Sequence, residues 1–186
     1  MKIILGSKSP RRKDLLAQLG FEFDIRVKDT DESFPDTLPV AEVAQFIAEK
    51  KADDLLSELK DDEIVICADT TVVIDSEILG KPADRNEAIE MLEKLSGREH
   101  KVITGVVVSS REKRICFSVT TTVNFKPLSG EEIRFYIDNY SPYDKAGSYG
   151  IQEWIGGAAI QWIYGSYNNV VGLPTHEVYS ALKEFE

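Results

Sequence analysis

The sequence predicts an α/β fold, with a mixed, twisted β-sheet and helices on both of its faces. Apolar, strand-like runs alternate along the chain with segments whose apolar residues recur at helical spacing. At residues 101–125, however, two long strand patterns are joined by the charged turn Arg111-Glu112-Lys113. Such a hairpin breaks a purely parallel order, so we expect parallel and antiparallel strands in one sheet.

The helices are predicted mainly from their ends. Ser9-Pro10 opens the first helix, because Ser is a favoured N-cap and Pro is tolerated at the first helical position, and Gly20 stops it. Ser129 with Glu132 has the spacing of a capping box. Helices are therefore expected at 10–19, 39–59, 84–95, from 129 onward and at 175–185, and strands at 2–5, 21–27, 63–74, 101–109, 114–125 and 158–163.

Composition and charge limit the function. The chain has 186 residues, enough for one domain or two small lobes with a sizeable core, and 42% of them are hydrophobic. Twenty-two Lys and Arg against 32 Asp and Glu give a net charge of -10. This balance argues against a nucleic acid polymer or an anionic membrane as partner, since both bind through positive charge. A small phosphorylated ligand remains compatible, because a pocket can be locally basic.

The two cysteines, Cys67 and Cys116, lie in apolar runs without metal-ligand spacing, so we expect buried, reduced thiols rather than a zinc site. No apolar stretch approaches the ~20 residues of a membrane span. The apolar run at the N-terminus is too short for a signal-peptide core. A cytoplasmic protein is therefore expected.

The segment Gly6-Ser7-Lys8-Ser9-Pro10-Arg11-Arg12 is a candidate phosphate-binding turn. It leads from a strand into a helix whose N–H groups and two arginines attract anions, although it is not a Walker A loop. Taken alone, an ordinary capped helix with solvated arginines is the favoured interpretation.

Asp69 is a candidate catalytic residue. It interrupts the apolar run 64–74, and a carboxylate there is costly unless it is paired, hydrogen-bonded or bound to a metal. A general base or a divalent-cation ligand suits this position. The alternative is an Asx-turn between two hairpin strands, and the functional interpretation is slightly favoured.

Other polar clusters indicate no function by themselves. These clusters are Asp31-Glu32, Lys50-Lys51, Gly80-Lys81-Pro82 and the glycine-rich segments within 144–169. A solvated turn is the usual explanation for Asp31-Glu32 and an exposed helix face for Lys50-Lys51, whereas Gly80-Lys81-Pro82 and the glycine-rich segments are ambiguous.

His100 is expected to be structural, because the two histidines of the chain cannot build a Ser-His-Asp site.

Taken together, the motifs resemble the Maf family of nucleoside triphosphate pyrophosphatases almost from end to end. Each motif is weak, but their joint order and spacing are specific. They are Ser7-Lys8-Ser9-Pro10-Arg11-Arg12, Asp31-Glu32, Lys51-Ala52, Ala68-Asp69-Thr70, Gly80-Lys81-Pro82, Ser96-Gly97 with His100, Thr104-Gly105, Asp144–Gln152 and Gly165-Ser166 through Val171-Gly172-Leu173-Pro174. Two departures are Ser141-Pro142 where Glu-Pro is usual, and Gly6 where Ala is usual.

The resemblance implies a cytoplasmic enzyme that cleaves a nucleotide between its α and β phosphates, with Mg²⁺ or Mn²⁺ as cofactor. It implies one Maf-like domain over 1–186, similar to inosine triphosphatase, with two lobes around a central active-site cleft, and it suggests a homodimer. Matching residues are Asp69 as proton acceptor, Lys51 and Lys81 as catalytic lysines, Ser7, Ser9 and Arg12 as substrate ligands, and Glu32 with Asp69 as metal ligands.

Three positions distinguish the family's specificity subtypes. Here they are Arg11, Thr70 and Gln152, which resemble the subtype that acts on dTTP and UTP. The sister subtype that prefers 7-methyl-GTP has an aromatic residue, Gln and Glu at these positions. Two rival functions stay open: a non-catalytic nucleotide sensor that regulates septum formation, and a phosphatase that removes the γ phosphate.

Overall fold

The structure is a computed structural model that describes residues 2–186. These residues form seven β-strands, seven α-helices and two short 3₁₀ turns, Pro142–Asp144 and Ala146–Ser148. The strands are β1 (Lys2–Leu5), β2 (Phe23–Ile25), β3 (Glu63–Ile74), β4 (Glu77–Leu79), β5 (Glu99–Ser109), β6 (Arg114–Phe125) and β7 (Ile160–Tyr164). The helices are α1 (Pro10–Gln18), α2 (Val43–Leu56), α3 (Arg85–Leu95), α4 (Gly130–Tyr140), α5 (Trp154–Ala159), α6 (Tyr167–Val171) and α7 (Thr175–Lys183).

The strands form one mixed sheet in the order β2-β1-β3-β5-β6-β7, with β4 paired to β3. β1 is parallel to both β2 and β3, whereas β3–β4 and β6–β7 are antiparallel. The hairpin predicted around residues 110–113 joins β5 to β6, and Ser110 N–H donates to Lys113 O at 2.9 Å. The predicted α/β class and mixed sheet are confirmed.

Both faces of the central strands are buried. Ile4, Val65 and Cys67 form a cluster with Ala48, Ala52 and Leu55 of α2, while Ile3, Leu5, Ile64 and Ile66, on the opposite face, are also buried. A close approach explains the glycine at position 6: an added Cβ would lie 2.4 Å from Cys67 Sγ. Gly105 of β5 similarly allows the backbone of α2 to approach, because its Cβ would lie 2.2 Å from Gln45 N. Glycine at position 105 therefore helps to place α2.

The chain divides into two compact units. The first comprises the chain up to Thr70, Thr104–Val119 and Gly172–Glu186; the second comprises Thr71–Ile103 and Thr120–Val171. In the second unit α3 and α4 pack together, and Arg85 pairs with Asp138 through two hydrogen bonds of 2.8 and 3.0 Å. The central cleft expected from the resemblance stays a prediction.

Several boundaries differ from those predicted. β3 runs uninterrupted through Asp69, so the Asx-turn alternative is wrong. α2 begins at Val43 rather than Pro39, because Glu42 N–H closes a turn onto Pro39 O. Residues 154–159 form a helix where a strand was expected from 158, and the buried side chains Ile155 and Ala159 stabilise that helix despite Gly156-Gly157. β2 is shorter than predicted, and β4, α6 and the 3₁₀ turns were not predicted.

Within residues 2–186, none of the helices combines the length and apolar character that crossing a membrane requires.

Candidate active site

The site in the first unit is centred on an ammonium group between two carboxylates. Lys51 Nζ lies 2.8 Å from Asp69 Oδ1 and 2.7 Å from Glu32 Oε1. Asp69 projects from β3, and Lys51 projects from α2. The side chains of Lys51 and Asp69 are only 17% and 16% exposed, against 53% for Glu32. This pairing allows Asp69 to remain in a buried strand.

The residues next to Glu32 fix its loop to helix α2. Asp31 accepts hydrogen bonds from Ser33 N–H (2.9 Å) and Ser33 Oγ (2.6 Å), and Lys50 Nζ donates to Ser33 O at 2.9 Å. The Ser33 hydroxyl, the Ser33 N–H and the Lys50 ammonium lower the pKa of Asp31 to about 2. Lys50 therefore holds the loop, while Lys51 contacts the carboxylates.

Arg12 connects three segments of the first unit. Its Nε donates to Gly172 O at 2.8 Å, one terminal nitrogen donates to Thr70 Oγ1 at 3.0 Å, and the other contacts Ser7 Oγ at 3.4 Å. Burial lowers the pKa of the Arg12 guanidinium, and the nearby Asp69 opposes that effect. A guanidinium carries five N–H donors, so these three contacts leave two for a ligand.

The turn before α1 has the predicted cap. Ser9 Oγ accepts from the backbone N–H of Arg12 at 3.4 Å, and Ser9 N–H donates to Ser7 Oγ at 3.2 Å. Ser7 Oγ therefore faces both Ser9 and Arg12. The first arginine of the helix, Arg11, is half-buried beside them. The segment predicted to bind phosphate is thus a capped helix, as the simpler interpretation held, but Arg12 is half-buried and hydrogen-bonded within the protein rather than solvated.

Thr70, a predicted specificity residue, orients Arg12. Its hydroxyl accepts the hydrogen bond from Arg12 and shares a 2.9 Å hydrogen bond with Thr104. Thr70 directly follows Asp69 in β3, and the Asp69 carboxylate is close enough to the guanidinium to oppose the effect of burial on the pKa of Arg12.

The remaining predicted site residues, Lys81 and Gln152, belong to the second unit, and both are exposed. Lys81 follows β4 and precedes the buried Pro82. Gln152 lies in a turn in which Glu153 N–H donates to Gly150 O at 3.0 Å.

Comparison with models of protein families shows to which family the chain belongs. The model of the family described as Maf-like protein matches residues 2–185. The chain belongs to the Maf family. A dTTP/UTP pyrophosphatase of Bacteroides fragilis (strain YCH46) is 50% identical over 184 residues, which cover 98% of this chain and 95% of the relative.

Two further proteins are similar to this chain. A dTTP/UTP pyrophosphatase of Parabacteroides distasonis is 48% identical over 99% of this Maf-family chain and 96% of the relative. A solved structure, "The structure of the Staphylococcus aureus Ham1 protein", aligns with 67% of the chain and 72% of its own, at a TM-score of 0.49 and 14% identity.

His100 has the structural role predicted for it in this Maf-family protein. The ring is buried, shares a 2.7 Å hydrogen bond with Tyr149 OH, and packs edge-to-face against Tyr149 and Phe125. Burial lowers the pKa of His100 to about 4, so the ring is neutral near pH 7.

Sequence reasoning missed a polar network next to Gln152. Lys145 Nζ pairs with Glu153 Oε1 at 3.0 Å, and Tyr136 OH donates to Glu153 Oε2. Lys145 and Glu153 lie in irregular segments between elements and Tyr136 lies on α4, so no helical or strand pattern relates the three. The glycine-rich segment signalled that a shaped loop exists there, but not which side chains shape it.

Proposed function

We propose that this Maf-family protein hydrolyses dTTP and UTP to the nucleoside monophosphate and pyrophosphate. The observation that carries this proposal is the Lys51 ammonium between Asp69 and Glu32, together with the half-buried Arg12, whose guanidinium charge Asp69 favours. Acidic groups that bind a metal or accept a proton thus lie beside cationic groups that bind phosphate. The name dTTP/UTP pyrophosphatase of relatives about 50% identical over nearly the full chain supports the substrate class.

Asp69 acts as proton acceptor in the proposed reaction. Lys51 holds Oδ1, so Oδ2 takes a proton from the attacking water. The water oxygen forms a bond to the α phosphorus, the bond from that phosphorus to the bridging α–β oxygen breaks, and pyrophosphate leaves with the electron pair. Water and triphosphate thereby become monophosphate and pyrophosphate.

Cationic and hydroxyl groups stabilise the charge on the phosphates. Arg12 has two N–H donors left for phosphate oxygens, and Ser7 and Ser9 contribute hydroxyls next to it. Lys51 and Lys81 interact with the negative charge that moves onto the leaving pyrophosphate. Local positive charge of this kind explains how a chain of net charge -10 binds a triphosphate.

A divalent cation, Mg²⁺ or Mn²⁺, fits the two carboxylates. Among residues 2–186 no group of three or more His, Cys, Asp or Glu side chains is placed to bind a metal, but Mg²⁺ commonly uses one or two carboxylates together with substrate phosphates. Asp69 and Glu32 contact the same ammonium and therefore already converge on one positive charge. When bound, the cation would neutralise phosphate charge and acidify a bound water.

Base selection is assigned to Gln152, together with Thr70 and Arg11. The amide of Gln152 offers one donor and one acceptor group, which complement O4 and N3–H of uracil and thymine. Gln152 is exposed, so its amide is accessible to a ligand. Thr70 is small and Arg11 offers a planar cation, for a phosphate or for stacking on the base.

Cellular context follows from the same proposal. Cys67 and Cys116 are free thiols, which suits the reducing cytoplasm. We expect a small nucleotide substrate rather than a nucleic acid polymer or a membrane, and a homodimer that light scattering would detect. A non-catalytic sensor of septum formation would need the cationic residues but not the Asp69 and Glu32 pair.

A panel of nucleotides tests the function. Wild-type protein with Mg²⁺ or Mn²⁺ is incubated with dTTP, UTP, CTP, GTP and 7-methyl-GTP, and both products of each reaction are identified. We expect monophosphate and pyrophosphate, formed fastest from dTTP and UTP. Tight binding of all five nucleotides without turnover would support the sensor instead, and orthophosphate would support the phosphatase.

A further inference from the structure

The network of Lys145, Glu153 and Tyr136 surrounds the turn that carries Gln152. Glu153 N–H donates to Gly150 O at 3.0 Å, so residues 150–153 form a β-turn with Ile151 and Gln152 in its centre. Ile151 is 8% exposed, whereas Gln152 faces solvent. The direction of Gln152 therefore depends on the two ends of this turn.

Glu153 occupies the N-cap position of α5, yet its side chain makes no capping hydrogen bond. Instead it turns back to Lys145 Nζ at 3.0 Å and accepts a hydrogen bond from Tyr136 OH. The carboxylate therefore bonds to residues around the turn rather than to the first N–H groups of the helix.

The other end of the turn is fixed by the same tyrosine. Gly150 N–H donates to Tyr136 OH at 3.0 Å, and Tyr136 is fully buried on α4. Burial and the carboxylate of Glu153 raise the pKa of Tyr136, so its hydroxyl stays protonated and donates to Glu153. One buried hydroxyl thus bonds to the first and the last residue of the turn.

The side chains of Lys145 and Glu153 pack tightly against Gly150. A Cβ there would lie 3.0 Å from Lys145 Cε and 3.1 Å from Glu153 Cδ. The Lys145 side chain is only 11% exposed and contacts both Asp144 (2.8 Å) and Glu153. A largely buried network of mutually bonded groups, such as Tyr136, Glu153 and Lys145, has few alternative arrangements.

We propose that Glu153 and Tyr136 are positioning residues for base selection, which hold the Gln152 amide where it meets the pyrimidine. The inference rests on the proposed function, because it takes Gln152 as the residue that reads the base. Misplacement of a binding group by about 1 Å can lower the reaction rate on the order of 10²-fold. A loosened turn therefore weakens the contribution of Gln152 to base selectivity without removing its amide.

The test is a double-mutant cycle on selectivity. Glu153→Gln and Tyr136→Phe keep the side-chain shapes but remove the charge and the hydroxyl, and each is made in wild type and in Gln152→Ala. Asp138→Asn is the matched control, since it breaks an exposed ion pair on the same helix α4 as Tyr136. The quantity compared is kcat/KM for UTP divided by kcat/KM for GTP.

We expect each variant to lower this ratio about 10-fold in wild type and to leave it unchanged in Gln152→Ala, with no effect of Asp138→Asn in either background. A merely structural role would lower both kcat/KM values together and leave the ratio constant. A constant ratio, or an equal loss in the Gln152→Ala background, would overturn the inference.

Binding measurements separate this inference from the proposed function. Calorimetry measures the Kd of the non-hydrolysable α,β-imido analogues of UTP and GTP for the same set of variants, so the double-mutant cycle can be repeated on binding, without turnover. If wild type binds the UTP analogue selectively, and the variants lose selectivity only when Gln152 is present, the inference stands even if no nucleotide is hydrolysed. If wild type releases pyrophosphate but the cycle shows no coupling, the function stands and the inference fails.

Discussion

Lys51 Nζ lies 2.8 Å from Asp69 Oδ1, and both side chains are more than four-fifths buried. Removal of one partner from a buried ion pair leaves the other charge uncompensated, so the two residues depend on each other. Glu32 shares the same ammonium at 2.7 Å. A substitution at any of the three therefore changes the electrostatics of the other two.

Asp69→Asn keeps the shape of the side chain and removes its charge. Loss of a general base costs typically ~10²–10⁴-fold, so we expect kcat to fall by that order while the circular dichroism spectrum is unchanged. Asp53→Asn is a matched control, because Asp53 pairs with Arg114 outside the site. Near-normal turnover of Asp69→Asn would eliminate Asp69 as proton acceptor.

Lys51→Ala and Lys81→Ala should each lower kcat/KM for UTP, by about 10²–10³-fold, because each removes charge that stabilises the leaving pyrophosphate. The effect of Lys51→Ala should be the larger, since it also leaves Asp69 and Glu32 without their shared cation. Added salt should partly reproduce the loss in wild type. Lys113→Ala, which breaks an exposed pair with Glu184, serves as control. Wild-type behaviour of both variants at low salt would place the two lysines outside the reaction.

Gln152→Glu exchanges an amide for a group that only accepts hydrogen bonds when ionised. A carbonyl of the pyrimidine would then face a carboxylate, a mismatch of ~1–3 kcal/mol or roughly 10–200-fold. We expect kcat/KM to fall by this factor for dTTP and UTP, and less for GTP and 7-methyl-GTP. An unchanged ranking of the substrates would show that Gln152 does not select the base.

His100 should make the stability of the protein depend on pH. Its pKa is lowered to about 4 in the folded state from 6.5 in the unfolded chain, so the unfolded chain binds the proton first as pH falls. The contribution of the neutral His100 to the free energy of unfolding is therefore complete above pH 6.5 and is lost progressively down to about pH 4. At 1.36 kcal/mol per pH unit, this contribution amounts to about 3 kcal/mol.

Urea unfolding between pH 7 and 4 measures this dependence. The free energy of unfolding of His100→Phe should fall less with decreasing pH than that of wild type, whereas His176→Phe, at an exposed position, should follow wild type. Parallel curves for wild type and His100→Phe would contradict the assignment of a buried neutral histidine.

Local signals in the sequence predicted much of the fold. Ser9 caps its helix as the Ser-Pro pair indicated, and Ser129 forms the predicted capping box with Glu132, because helix caps depend only on residues within one turn. Asp69 stood out because a carboxylate in an apolar strand needs a partner, and Lys51 is that partner. Nothing local in the chain, however, indicates that the Lys51 ammonium also meets Glu32.

Long-range contacts could not be predicted in the same way. Arg12 bonds to Gly172, 160 positions along the chain, and this contact helps to make the side chain half-buried rather than solvated. The Tyr136–Glu153 hydrogen bond likewise joins α4 to a turn. Residues 154–159 were misjudged because packing of Ile155 outweighed the low helix propensity of two glycines.

The position of attack on the triphosphate is the central claim, and hydrolysis of UTP in H₂¹⁸O measures it directly. Attack on the α phosphorus transfers the water oxygen to the nucleotide, so mass spectrometry should find one ¹⁸O in UMP and none in pyrophosphate. Label in pyrophosphate would show attack on the β phosphorus. Formation of UDP with labelled orthophosphate would show γ cleavage, and either result would contradict the mechanism built on Asp69.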